Sequence, residues 1–278
     1  MKRLLAIELQ KIWKNRASRI LTISYFVILS FIAMIASIKL EIGNFKIHFA
    51  EMEIFNFPFI WHFNFYIAAS LKFFLAIVIV SMMANEYSYG TLKQNLIDGM
   101  SKKEFVLSKF LTVVLFAFTS TIFVFVMSLI LGYSFSSYNE LGIVFSEMEY
   151  ILAYFVKLIG FFSFCLFIGV LIKRSAFAIG FLFVWFLVEK ISYLTLKFDI
   201  FNRDPRVDQV YAFMPLESMS NLIVEPFTRL SAIRSLQTAV GENSIKDYSV
   251  HFSSILIVLI WSALFVFLSY KIIKKRDL

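Results

Sequence analysis

Charge, cysteine, proline and glycine are all scarce in this sequence of 278 residues. Charged residues make up 17% of the chain, against about 25% in soluble proteins. There are only one cysteine, four prolines and nine glycines. A single cysteine excludes an intrachain disulfide framework, and the low proline and glycine counts exclude collagen-like and low-complexity disordered chains. Long segments with few breaks are therefore expected.

Several enzyme motifs are missing as well. The sequence has no G-x-x-x-x-G-K-[S/T] segment, so the chain has no P-loop of its own for ATP. It has no H-E-x-x-H motif and no pair of cysteines at metal-ligand spacing, and its three histidines are isolated from one another. We therefore expect no catalytic residues, no cofactor and no metal site in this chain.

Apolar residues, by contrast, are abundant. They make up 60% of the chain, thirty-five residues are phenylalanine, and the mean hydropathy is +0.79. A soluble protein of this size could not cover so much apolar surface with its few polar residues. The composition predicts an integral membrane protein.

Six apolar segments are long enough to cross a membrane as an α-helix, which takes roughly 20 residues. None of them alternates apolar and polar residues as the strands of a β-barrel do. The sequence therefore predicts an all-α fold, with residues 1–278 forming a single transmembrane domain. The six predicted spans are residues 20–38, 64–84, 110–131, 150–172, 175–194 and 250–270.

Basic residues are concentrated on one side of these predicted spans. Sixteen lysines and arginines lie in the two termini and in the loops after the second and fourth spans, whereas the short loops on the other side hold only Lys39 and Lys46. Cytoplasmic loops of membrane proteins carry such an excess of positive charge. Both termini are therefore predicted to be cytoplasmic, and residues 195–249 are predicted to lie outside.

The first 19 residues have an amphipathic pattern. Leu5, Leu9, Ile12 and Trp13 recur at helical spacing, and basic residues occupy the opposite side. This pattern is typical of a helix lying in the membrane interface, with its apolar face toward the lipids. We predict an interfacial helix over residues 1–19.

Two connecting segments also contain helix signals. In residues 85–109, Gly99 is placed to end a short helix, and Ser101 and Glu104 form a capping box that opens the third span. In residues 195–249, prolines separate two short apolar faces, which predicts short helices against the outer membrane surface.

Charged residues inside the spans are costly and mark candidate functional sites. Lys72 lies in the middle of the second span, Lys157 lies in the fourth, and Glu189 lies near the outer end of the fifth. They could line a polar pathway, with Lys157 paired to Glu189. Alternatively, Lys157 and Glu189 could extend along their own stems to the outer interface. Both interpretations stay open at this point.

Two motifs carry a resemblance to a known family. Glu86, Gly90, Thr91 and Leu92, followed by a Ser-Lys-Lys triplet at 101–103 and by Lys109 before a span, resemble the E-x-x-x-G-T…S-K/R…K pattern of type-2 ATP-binding-cassette (ABC-2) exporter permeases. The segment from Glu8 through Lys11 to Arg16 is similar to the E-x-x-K-x-x-x-x-R start of those subunits. The resemblance extends to the whole topology of six spans.

The resemblance implies a permease subunit of an exporter in the plasma (inner) membrane of a bacterium. Its implied partners are a nucleotide-binding ATPase subunit, which would bind ATP and Mg, a second permease chain, identical or sister, and membrane lipids; no nucleic acid is implied. In that family the segment after the second span is the coupling helix that docks on the ATPase subunit. That role is carried over to Glu86, Gly90, Thr91 and Leu92, and more loosely to Lys102 and Lys103.

An alternative function is an ion-coupled secondary carrier that uses Lys72, Lys157 and Glu189. Such carriers often contain helices broken within the membrane. The predicted spans contain no proline and only three glycines, so unbroken helices are expected, and this argues against the carrier. Nothing in the sequence indicates the substrate.

Overall fold

The computed structural model describes residues 2–37, 40–42, 45–47, 54–201, 204–230, 233–235 and 246–276. Lys39, one of the two basic residues assigned to the outer loops, lies outside these ranges. The helices are α1 (Lys2–Lys14), α2 (Arg16–Ser37), α3 (Phe59–Ser70), α4 (Lys72–Ser88), α5 (Thr91–Ile97), α6 (Lys102–Phe135), α7 (Leu141–Val144), α8 (Glu149–Ile172), α9 (Ser175–Leu194), α10 (Pro205–Tyr211), α11 (Pro215–Ser220) and α12 (Phe252–Lys275).

Three smaller elements accompany these helices. Strands β1 (Leu40–Ile42) and β2 (Phe45–Ile47) form an antiparallel hairpin after α2, with Leu40 opposite Ile47. A π-helical segment, Thr195–Ile200, continues α9, and a 3-10 turn occupies Phe227–Arg229. The sequence did not predict this short hairpin; apart from it the described elements are helical, as expected of the predicted all-α fold.

The membrane-spanning character is confirmed. By length and composition, α2, α6, α8, α9 and α12 can each cross a membrane, and α3 and α4 together supply up to a sixth span. Most boundaries match the predicted ones closely, but α6 begins eight residues before the predicted third span because the capping box at Ser101 starts the helix there. The chain is a multi-pass membrane protein.

The second span is bent, and the expectation of unbroken helices was wrong. α3 and α4 meet at Leu71 at an angle of 44°. The Leu71 N–H donates to the Ala68 carbonyl over 3.1 Å, and the Ser70 hydroxyl donates to the Tyr66 carbonyl over 3.3 Å. Serine back-bonding and a tightened i→i+3 turn bend a helix without proline or glycine. Lys72 is the first residue after the bend.

Helix α8 is the centre of the bundle. In the apolar part of residues Leu141–Ile172, which include α8, 72% of the residues are buried. The corresponding share is 17% for α2 and 17% for α9. It packs against α3, α4, α6, α9 and α12. A Cβ added at Gly160 would lie 2.6 Å from Val258 of α12, and one at Gly169 would lie 3.0 Å from Met83 of α4. These glycines let neighbouring helices approach closely.

The connecting segments gather at two ends of the bundle. At the end that holds α1 and α5, the Lys102 ammonium donates to the Arg276 carbonyl over 2.9 Å, so the C-terminal end of α12 lies there too. At the other end, Arg229 from the segment between α9 and α12 pairs with Glu147 before α8 over 2.9 Å. This is the grouping of segments that the charge distribution predicted.

Candidate functional site

Four charged side chains from α1, α4 and α6 meet at the end of the bundle that holds α5. We call Glu8, Lys11, Glu86 and Lys109 the junction cluster. The Lys109 ammonium lies 2.5 Å from both Glu8 Oε2 and Glu86 Oε1. The Lys11 ammonium lies 2.9 Å from Glu86 Oε1 and 3.7 Å from Glu8 Oε1. Two carboxylates and two ammonium groups thus join three helices at one point.

The junction cluster is largely removed from solvent. The side chain of Lys109 is 0% exposed, those of both glutamates are 3% exposed, and only Lys11 reaches the surface, at 35%. Breaking a buried ion pair by removing one partner typically costs about 3–5 kcal/mol, because the remaining charge is left uncompensated. Each member of the cluster therefore needs the others in place.

The spacing of Glu86, Gly90 and Thr91 has a local explanation. Glu86 lies in the last turn of α4, and Gly90 follows with φ of 68°, a left-handed conformation that favours glycine. This turn reverses the chain, so that Thr91, the first residue of α5, donates its hydroxyl to Glu86 Oε2 over 2.5 Å. Asn95 Nδ2 contacts the same oxygen at 3.5 Å. The motif fastens α5 to the junction cluster.

The predicted coupling residues differ in their surroundings. Glu86 and Leu92 are each 2% exposed, so their side chains face the interior and hold α5 in place. Gly90 and Lys103 are exposed, while Lys102 is occupied by the carbonyls of Lys274 and Arg276 at 3.2 and 2.9 Å.

The short helix is smaller than predicted. It begins at Thr91, since Glu86 belongs to α4, and it ends before Gly99, which has φ of 95°. The predicted capping box of Ser101 and Glu104 is confirmed. Tyr89, just before the helix, and Ile97, its last residue, are 72% and 75% exposed. Together they place apolar surface around α5, at the end of the bundle.

Arg276 makes a second junction at this end. Its guanidinium donates to the Tyr87 hydroxyl over 2.5 Å and to the Val170 carbonyl over 2.9 Å, and it lies 5.2 Å from the centre of the Tyr87 ring. These contacts tie the ends of α4, α8 and α12 together. Residue Tyr87 is adjacent to Glu86, so the two junctions share one turn of α4.

The charged residues inside the spans do not form the predicted pair. Lys157 donates to the carbonyls of Ser220 and Ile223 at 3.3 and 3.4 Å. Glu189 instead accepts the Trp185 indole N–H at 3.1 Å and the Glu217 N–H at 2.8 Å. Of the two interpretations that the sequence left open, the structure does not show the pairing of Lys157 with Glu189, because both side chains are bound to the external segment or within α9.

Lys72 has different surroundings. It is half-buried, and its ammonium lies 4.6 Å from the centre of the Phe161 ring and 5.9 Å from that of Phe73. Within the described part of the chain it makes no hydrogen bond and no ion pair.

The sequence also missed two polar groups elsewhere in the bundle. The hydroxyls of Tyr25, Ser120 and Tyr154 form a closed, buried triangle with sides of 2.5, 2.8 and 2.9 Å, which links α2, α6 and α8. At the far end, Arg229 donates to His62 Nδ1 over 3.1 Å and to Glu147 over 3.0 Å. Burial opposes the Arg229 charge, yet the Glu147 carboxylate holds the pKa of Arg229 above its ordinary value.

The sequence pointed to the other three residues of the junction cluster but did not predict that they meet Glu86. Glu8, Lys11 and Lys109 belong to the motifs that carry the family resemblance, but only their tertiary contacts bring them to Glu86. The available signal was a set of opposite charges at the ends of separate spans.

Among the described residues, no group of three or more His, Cys, Asp and Glu side chains could hold a metal ion. No curated protein matches the sequence. A family described as protein of unknown function (DUF2705) matches residues 23–278, a range that contains Glu86 and Lys109 but not Glu8 and Lys11. Because this match covers most of the sequence, the chain belongs to the DUF2705 family.

Proposed function

We propose that the chain is the membrane-spanning permease subunit of an ABC exporter, driven by separate ATPase subunits that bind ATP and Mg. The observation that carries this proposal is the junction cluster, in which Glu86 and Lys109 lie 2.5 Å apart in a buried site. A buried network of opposite charges has defined geometry and resists separation. It is suited to transmit a displacement of α5 to several spans at once.

The route of transmission follows from the contacts. A partner that pushes on α5 would move Thr91, which is bonded to Glu86 at the end of α4. Glu86 is bonded to Lys109 of α6 and to Lys11 of α1. α1, α4 and α6 would therefore move as one body, together with the bundle elements packed against them. A loop that merely connected two spans would need only a few residues and no such attachment.

The docking surface for the ATPase subunit would be the exposed side of α5 and its flanks. Tyr89 and Ile97 supply exposed apolar area, and Lys93 and Lys103 supply exposed positive charge. Glu86 and Leu92 hold this surface from behind. We infer that the residues resembling the ABC-2 permease motif support the docking helix as much as they form its contact face.

The remaining partners fit the same assignment. We infer that α1 lies in the cytoplasmic interface of a bacterial inner membrane, where exposed Leu9 and Trp13 would contact lipids. A second permease chain would cover part of α2 and α9, the spans with the smallest buried share. Both termini would then be cytoplasmic, and residues 195–249 would lie outside.

A secondary carrier remains the second candidate, and one observation favours it. The bend at Leu71 breaks the second span next to an intramembrane lysine, an arrangement in which carriers build binding sites. The two candidates differ in their energy source. A carrier would transport in vesicles that hold an ion gradient without ATP, whereas an exporter would require ATP hydrolysis by its partner.

The test is reconstitution with a P-loop ATPase encoded next to this gene. The tagged permease is used to pull down that ATPase, and hydrolysis is then measured in nanodiscs. Ile97→Asp on the proposed docking surface should abolish the pull-down, and the matched variant Tyr138→Asp, at the other end of the bundle, should not. Failure of the wild-type chain to retain any such ATPase, or transport by an ion gradient alone, would reject the proposal.

A further inference from the structure

A cavity of about 550 Å³ opens beside Lys72 between α4, α8, α9 and α11. Its walls are mainly apolar, and aromatic rings form much of the lining. Phe73 and Phe183 are 50% and 63% exposed, so the cavity is open toward the surface where lipid chains would lie. Its volume falls within the range of about 300–1,000 Å³ that is usual for pockets holding small molecules.

The cavity contains a cation without a counter-ion. The Lys72 ammonium contacts only the rings of Phe73 and Phe161 within the described residues. Lys157, one turn before Phe161 on α8, donates to backbone carbonyls, and no carboxylate of the described residues lies within 4 Å of its ammonium. A lysine charge at the centre of a membrane is costly, and an anion beside it would offset that cost.

The carboxylates that line the same cavity are already engaged. Glu217 accepts the Lys190 ammonium at 2.5 Å. Glu189 accepts the Trp185 indole N–H and the Glu217 backbone N–H at 3.1 and 2.8 Å. The cavity therefore combines satisfied acidic groups at α9 and α11 with an unsatisfied basic group at the bend of the second span. A ligand that complements it is apolar over most of its length and carries one negative group.

We propose that this cavity binds a single-chain amphiphilic anion. Its acidic group contacts the Lys72 ammonium, and its apolar chain lies among Phe73, Phe161 and Phe183. That this ligand is the transported cargo rests on the proposed exporter function; its binding does not. The bend at Leu71 brings Lys72 to the first turn of α4, which presents the ammonium at the cavity.

The test uses a hexadecyl sulfonate that carries a photoactivatable diazirine in its chain. The purified chain is reconstituted in nanodiscs of phosphatidylcholine, irradiated, and digested for mass spectrometry. The sulfonate is expected to label the peptides that contain Phe161 or Phe183. The alcohol of the same chain, and the corresponding trimethylammonium compound, are expected to compete at least about tenfold more weakly, since neither makes the charge-assisted contact with Lys72.

Variants locate the acidic group. Lys72→Met should lower labelling by the sulfonate about tenfold, Lys72→Arg should preserve it, and the control Lys271→Met, at an exposed lysine, should leave it unchanged. Equally strong competition by the alcohol and by unlabelled sulfonate in the wild type would overturn the proposal, and this comparison stands even if Lys72→Met fails to fold. Loss of labelling on addition of phosphatidylglycerol would assign the cavity to a bilayer lipid and would overturn it too. The assay contains no ATPase, so its failure is distinguishable from failure of the exporter proposal.

Discussion

The ammonium of Lys109 and the carboxylate of Glu86 lie 2.5 Å apart at the meeting point of α4 and α6, and neither side chain is exposed by more than 3%. Twenty-three residues separate them in the chain. Glu8 of α1 accepts the same ammonium from the other side. The pair therefore attaches the segment before α5, the segment after it and the N-terminal helix to one another.

The first prediction concerns the balance of charge in the junction cluster. Glu86→Gln leaves the positive charges of Lys109 and Lys11 in excess and should lower the free energy of unfolding by about 3–5 kcal/mol. The double variant Glu86→Gln, Lys109→Met removes one charge of each sign and should lose less than Glu86→Gln alone. Thermal unfolding in detergent measures both.

The matched control for this pair of variants is Glu140→Gln, at an exposed glutamate far from the cluster, which should change the melting temperature little. The single variant Lys109→Met completes the comparison; if the double variant lost as much stability as Glu86→Gln and Lys109→Met together, the buried pair would not be coupled.

A second prediction concerns the left-handed turn at Gly90. A Cβ at this position meets no atom within 4 Å, so only the backbone conformation opposes a side chain. Gly90→Val should destabilise the turn by about 1–2 kcal/mol, whereas Gly90→Asn should be better tolerated because asparagine adopts left-handed conformations more readily. Pull-down of the ATPase subunit with both variants then separates two roles. If Gly90→Asn retains binding of the ATPase subunit, the partner requires the left-handed turn at this position. If Gly90→Asn loses binding, the partner approaches the glycine closely.

The third prediction tests the packing of the central helix. Gly160→Leu places a side chain where a Cβ already lies 2.6 Å from Val258. It should separate α8 from α12 and destabilise the bundle by about 1–3 kcal/mol. Gly180→Leu is the matched control, because a Cβ at Gly180 meets nothing within 4 Å. Equal melting temperatures for the two variants would contradict close packing at Gly160.

A fourth prediction addresses orientation in the membrane. In a Cys165→Ser background, a cysteine at position 93 should react with an impermeant maleimide only in inverted vesicles, and one at position 140 should react in intact cells. The physical reason is the concentration of basic residues at the end that holds α1 and α5. Labelling of position 93 from outside intact cells would reject the orientation and the docking role of α5 with it.

Comparison of prediction and structure shows where local signals were sufficient. Gly99 and the Ser101–Glu104 capping box were found from the sequence because a helix end depends on residues within one turn of it. The bend at Leu71 was missed because it depends on a serine back-bond and an i→i+3 turn. Serine and leucine also occur in straight helices, so their presence in the sequence does not predict a bend. The sequence left open whether Lys157 pairs with Glu189, and in the structure both side chains have other partners.

The sequence by itself determined that this is a multi-pass membrane protein, where most spans begin and end, and which segments gather at the same end. Those properties follow from the length of apolar runs and from the placement of charge, because each residue favours lipid or water according to its own polarity. Tertiary structure alone decided that Glu8, Lys11, Glu86 and Lys109 form one buried cluster and that Lys72 faces a cavity in which none of the described residues is its counter-ion. A charge in a closely packed bundle must be compensated by its nearest neighbours in space, and helix packing sets those neighbours independently of their distance along the chain.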